Sequence, residues 1–173
     1  MIKTELVCSK EYAKKLNEFL EEEDWENLVF ISKRFESDYL KNMPTILNKI
    51  PFCTGFDWKK ELCLPIYIVN YPGPSKTNPI TIKIDSNKNM LIKLIHELSH
   101  INFPNKFGLN EKIYEDAINQ TTEKISFELE LGKCEALEKI ICYRKELKKK
   151  GISVRRIPFE SKNLKDYFLL KVV

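Results

Sequence analysis

Histidine is the scarcest chemically useful residue in this chain: there are two in 173 positions. No apolar run approaches the ~18 residues that a membrane span needs, which excludes a transmembrane helix. The opening MIKTELVCSKEY has no charged-then-apolar signal pattern, so an intracellular, cytoplasmic protein is expected. The five cysteines are odd in number and include no C-x-x-C pair. Neither a disulfide framework nor a thiolate zinc cluster is therefore indicated. A large charge excess is missing too: at +4 the balance is too mild to imply nucleic acid by itself. What remains is 43% apolar and 31% charged, the composition of one globular unit with a substantial core.

Both histidines fall in one stretch, MLIKLIHELSHINF, Met90 to Phe103, as His96-Glu97-x-x-His100. On a helix that turns ~100° per residue, positions i and i+4 lie ~40° apart, so both imidazoles project from one face and can hold one metal ion. Glu97, next to the first ligand, can reach a water on that metal. A wheel places Met90, Leu91, Leu94, Ile95, Leu98 and Ile101 on one side and the histidines opposite them, with Asn89 and Lys93. The imidazoles thus face away from the main apolar contact of the helix.

Residues 9 to about 50 read as helical. Ser9 caps a stripe of Tyr12, Ala13, Leu16, Phe19 and Leu20; after the acidic run Glu21 to Asp24 a second stripe passes through Trp25, Leu28, Ile31, Phe35 and Tyr39 and ends at Met43-Pro44. These helices could pack on the rest, bind a partner or act as a pro-segment. From Pro51 the texture changes, and ELCLPIYIVN and PITIKID read as strands around a turn-rich YPGPSKTNP. Pro65 lacks an N–H, so the first strand is expected to have a free edge. Ile80, Ile82 and Ile84 alternate with Thr81 and Lys83, as in a half-buried strand. An edge beside the metal helix is where an extended peptide or protein substrate can add as a further strand. It is equally an ordinary edge.

Asp85 or Ser86 caps the metal helix, which stops at Pro104. Asn110 caps the next helix, 111 to 131 with Gly132 after it. Two histidines on zinc need a third protein ligand, and with no spare His it should be a carboxylate. Of Glu111, Glu115, Asp116 and Glu123, Glu115 borders the apolar stripe, whereas Asp116 and Glu123 point outward. Glu115 is the expected ligand, with Zn²⁺ as the cofactor. Asn119, one turn further, could fix a ligand histidine by accepting its second ring N–H; Asp116 or a main-chain carbonyl could do the same. Oxyanion help could come from Tyr71, Tyr114, Tyr143 or Tyr167, which the sequence does not rank. A third helix runs from Cys134 to Lys149, and the tail Lys165 to Val173 docks as a strand or lies in the cleft as a self-inhibiting segment.

His96-Glu97-Leu98-Ser99-His100, followed by a helix carrying Glu115-x-x-x-Asn119, resembles the gluzincin zinc metallopeptidases. In size and spacing it looks most like the minimal gluzincins and the ImmA/IrrE-type regulatory peptidases, over about Leu62 to Leu131. No His follows His100, so the metzincin extension is absent. Thermolysin-like relatives have Asp where this chain has Asn119. The resemblance implies an α+β, zincin-like fold: a small mixed or antiparallel sheet with an active-site helix, plus N- and C-terminal helices. It divides into a helical segment, 1–50, and a catalytic unit, 51–173, in one compact domain. The implied activity is peptide-bond hydrolysis with Glu97 as general base. A regulatory protease acting on one partner, such as a transcription factor, and a latent or non-catalytic zinc domain are the other readings.

Overall fold

A computed structural model describes residues 2–59, 62–71, 73–103, 107–160 and 162–169. The class is mixed α+β. In chain order the elements are β1 (Lys3–Val7), α1 (Lys10–Leu16), α2 (Glu22–Thr54), β2 (Cys63–Val69), β3 (Lys76–Thr77), β4 (Ile80–Lys83), α3 (Asn87–Asn102), α4 (Glu111–Glu128), α5 (Glu135–Lys149) and α6 (Leu164–Leu169). The strands form one sheet in the order β1-β2-β4-β3, with β1, β2 and β4 parallel and β3 antiparallel to β4.

β2 is therefore an interior strand, contrary to the expectation drawn from Pro65. The Lys3 N–H donates to the Leu62 carbonyl and the Ile84 N–H to that of Val69. Even-numbered residues of β2 thus turn their backbone groups to β1 and odd-numbered ones to β4. Pro65 faces β4 one residue before that pairing starts at Ile66↔Ile80, where no ladder bond is lost. The edge beside α3 is instead β3, two residues inside the stretch expected to be only a turn. Nor is β4 half-buried: Thr81 is as enclosed as Ile80 and Ile82. α1 covers that face, with Tyr12 hydrogen-bonded to Thr81 at 2.9 Å and packed on Tyr67.

Ser9 caps α1 by accepting from the Tyr12 N–H, as expected. α2 does not stop at Pro44. It runs 33 residues through Pro44 and Pro51 to a left-handed Gly55, because Leu28, Phe35, Tyr39, Met43, Ile46 and Ile50 form one buried stripe along its length. The boundary at residue 50 consequently falls inside a helix, and β1, from the supposed helical segment, is part of the sheet.

α3 lies at the centre, buried on both sides. Its apolar face meets α2 and the sheet, while its histidine face meets α4. The expected stop at Pro104 lies outside the described residues. Ser86 caps α3 and Asn110 caps α4, each accepting a backbone N–H. α5 has no side-chain cap of its own. Its Ala136 N–H instead bonds Asn89 Oδ1 of α3 at 3.0 Å, which pins the start of α5 over the metal helix.

Asp116 does not point to solvent: it is fully buried, receiving Arg144 Nε of α5 at 3.0 Å and the Val154 N–H at 2.8 Å. Glu123 pairs with the same Arg144. Residues 164–169 of the tail form a helix, not a strand. Phe168 packs on Phe103 and Phe107, away from the cleft described below. Among the described residues no helix is long and apolar enough to cross a membrane.

Candidate metal centre

His96 and His100 are one turn apart on α3, and their Nε2 atoms approach to 3.0 Å. Glu115 reaches them from the second turn of α4, with Oε1 3.2 Å from His96 Nε2 and Oε2 3.3 Å from His100 Nε2. Among the described residues this is the group of His, Cys, Asp or Glu side chains able to hold a metal ion; no cysteine joins it. The fit can be tested. Three tetrahedral donors, each about 2.0–2.1 Å from a zinc ion, lie about 3.3 Å from one another. The two imidazole nitrogens, 3.0 Å apart, come within a few tenths of an ångström of that figure, and each has one of the two Glu115 oxygens at 3.2–3.3 Å.

The electrostatics agree. Burial pushes the Glu115 carboxyl up, but hydrogen bonds with His100 and His96 outweigh it and hold the group well below the usual carboxylate range. An anionic carboxylate and two imidazole nitrogens lie close enough together to hold a metal ion between them.

Orientation comes from residues that the sequence did not single out for it. Tyr114 donates its hydroxyl proton to the Phe103 carbonyl at 2.7 Å. Its oxygen lies 3.3 Å from His100 Nδ1 and is left to accept that ring N–H. With its Nδ1 side engaged in this way, the His100 ring is oriented so that Nε2 faces His96 and Glu115. Burial, then the neighbouring Glu115 charge, pushes the Tyr114 hydroxyl up to about 12, so it stays protonated as the relay requires. This role removes Tyr114 from the candidate oxyanion donors. Asn119 donates to Glu115 Oε1 at 3.5 Å and so touches the carboxylate, not a histidine ring. His96 Nδ1 is buried without a partner among the described residues.

Glu97 is 7% exposed and turns toward the sheet edge, where Thr77 Oγ1 of β3 donates to its Oε2 at 2.5 Å. Thr77 was hidden in a turn-rich stretch, and a two-residue strand offers no periodicity to detect. A cleft of about 440 Å³ opens between α3, α4 and α5, lined by His96, Glu97, Glu115, Asn119 and, on α5, Tyr143. Of the four tyrosines considered for the oxyanion, Tyr143 is the one in this lining. Glu97 thus shares the lining of one cleft with two of the three possible metal ligands, His96 and Glu115. Compared with protein-family models, with curated proteins and with solved structures, the chain matches none, which leaves the donor set and its surroundings as the whole basis for assigning its chemistry.

Proposed function

We propose that this protein is a zinc-dependent metallopeptidase of zincin-like type, with His96, His100 and Glu115 as the ligands and Glu97 as the general base. The observation that carries the reading is the convergence of His96, His100 and Glu115 at metal-ligand spacing, with Glu97 beside them on an open cleft. When bound, zinc supplies a Lewis acid for the scissile carbonyl and lowers the pKa of its water toward ~7.

The remaining work belongs to the chain. Glu97 accepts a proton from the attacking water and passes it to the leaving amine. Thr77 holds one oxygen of that carboxylate, which leaves the other for the water. β3 is an edge strand among the described residues, and Thr77 on it bonds Glu97, so an extended peptide pairing with its outward main-chain groups would run beside the base. A protein or peptide substrate fits such an edge. Tyr143 is the residue proposed to steady the developing oxyanion.

The test separates metal from chemistry. Glu97→Gln should keep about one zinc per chain and lose at least ~10³-fold in hydrolysis of unfolded protein, as expected when a general base is removed. His96→Ala should lose both zinc and activity. Stoichiometric zinc in the unaltered protein with no cleavage of any unfolded substrate would favour the non-catalytic reading instead.

A further inference from the structure

Glu115 reaches the histidines from α4, so its place depends on how that helix is turned about its own axis. The apolar side of α4, where Ala117, Ile118 and Ile125 are fully buried, does not fix this closely, because apolar burial is non-directional. A polar seam does. Asp116, Gln120 and Glu123 lie within about 60° of one another around the helix, roughly 100° from Glu115. Asp116 takes Arg144 Nε of α5 at 3.0 Å on one oxygen and the Val154 N–H at 2.8 Å on the other. Gln120 accepts the Ile157 N–H at 3.0 Å and donates to the Val154 carbonyl at 3.4 Å. Arg144 Nη1 also pairs with Glu123, two turns along α4 from Asp116. One guanidinium thus grips two carboxylates on the same side of the ligand helix.

Magnitudes decide whether this grip reaches the metal. A carboxylate about 6 Å from a helix axis moves about 1 Å when the helix rolls by about 10°. Metal–ligand distances hold within about 0.2 Å, so a roll of a few degrees is enough to strain a bond to Glu115. Stability alone does not call for the seam. Asp116 is fully buried and the Arg144 side chain is 21% exposed. Taking such a pair out of water is costly, and apolar residues of similar volume often serve as well. What the planar guanidinium adds is direction.

We infer that Arg144 is a positioning residue for the metal centre: by holding Asp116 and Glu123 it sets the roll of α4 and keeps Glu115 opposite His96 and His100. The inference rests on the reading of those three residues as metal ligands.

The test measures zinc affinity, by competition with a chelator, for Arg144→Met and its parent, each with Glu115 intact and with Glu115→Ala. Arg144→Met should weaken zinc roughly ten- to a hundred-fold when Glu115 is intact, as loss of a residue behind a ligand does. In the Glu115→Ala background it should change affinity by less than about twofold, since no carboxylate remains to be positioned. Leu28→Ala, in the buried stripe of α2, which supplies no ligand, lowers Tm through lost packing and should leave zinc affinity within about twofold. Should Arg144→Met fail to fold, Arg144→Lys keeps the charge without the fork and should show the same pattern at about ten-fold. Equal losses in both Glu115 backgrounds, no loss on substituting Arg144, or an equal loss in Leu28→Ala would overturn the positioning role. The two readings fail separately. Zinc bound through Glu115 but indifferent to Arg144 sinks the positioning role alone, whereas no zinc bound, or zinc indifferent to Glu115→Ala, sinks the ligand assignment and the positioning role with it.

Discussion

Tyr114 shows how much of a metal site lies one residue behind its ligands. The ring stacks on Phe103, the hydroxyl proton is committed to a carbonyl, and a lone pair on the same oxygen is left to steer His100. Tyr114→Phe keeps the ring and its packing but removes the relay. Zinc affinity, followed by competition with a chelator, should fall roughly 10- to 100-fold while the fold is retained; an unchanged affinity would show that His100 orients itself. A second single-residue effect concerns Asp85. Burial raises its pKa, but Lys93, Asn89 and the Ser86 N–H outweigh burial and leave the carboxyl below its ordinary value. A depressed pKa contributes stability above the unfolded value, about 3.9, and that contribution is lost as pH falls through the lower folded value. Urea midpoints measured from pH 5 down to pH 3 should therefore decline more steeply in the unaltered protein than in Asp85→Asn. Parallel curves would remove Asp85 from the acid response. The spacing of His96 and His100 was legible because four residues along a helix is local geometry. Asp116 was misread because its partners lie 28 and 38 residues away, where a helical wheel does not reach.

The starts of α3 and α4 could be read because Ser86 and Asn110 announce themselves locally, and the end of α5 because Gly151 follows it at positive φ, whereas α4 stops at Glu128, three residues short of the expected 131, with Glu130 already left-handed at φ 53°. α2 could not be read this way, since a local rule about Pro44 was overruled by a stripe of buried residues on both sides of it. The cost of that proline remains. Pro44 is exposed, gives the Leu40 carbonyl no N–H, and sits where Asn42 Nδ2 reaches across to the Asp38 carbonyl at 2.7 Å. Pro44→Ala restores the missing donor on a surface that nothing covers. It should stabilise the protein by about 1–2 kcal/mol, somewhat less than the full helix-interior penalty because the present helix has already adapted. A rise in Tm checks this, and a fall would mean that Pro44 itself is needed for packing. β1 escaped notice for the opposite reason. Its five residues are partly exposed and carry no strong alternation, and only their register against β2 makes them a strand.

Metal binding should be felt by the entire molecule, because the ligands come from two elements whose contact is its centre. α3 packs on α2, α4, α5 and the sheet, and α4 in turn holds the segment around Val154 through Asp116 and Gln120. Local release of Glu115 from the histidines would loosen α4, and with it the wall that α5 builds over the cleft. A ligand that binds only the folded state stabilises it by about 4 kcal/mol at a thousand times its Kd. For a chain of this length that corresponds to a rise in Tm of roughly 10 °C. Scanning calorimetry of the metal-free and zinc-loaded protein should show this rise, and His96→Ala should show almost none at the same zinc concentration. Magnesium, which prefers oxygen ligands and near-ideal octahedral geometry, should not substitute in a site of two imidazoles and one carboxylate. An equal rise in His96→Ala would place the zinc elsewhere on the surface and would separate the geometry of α3 and α4 from any role in holding a metal.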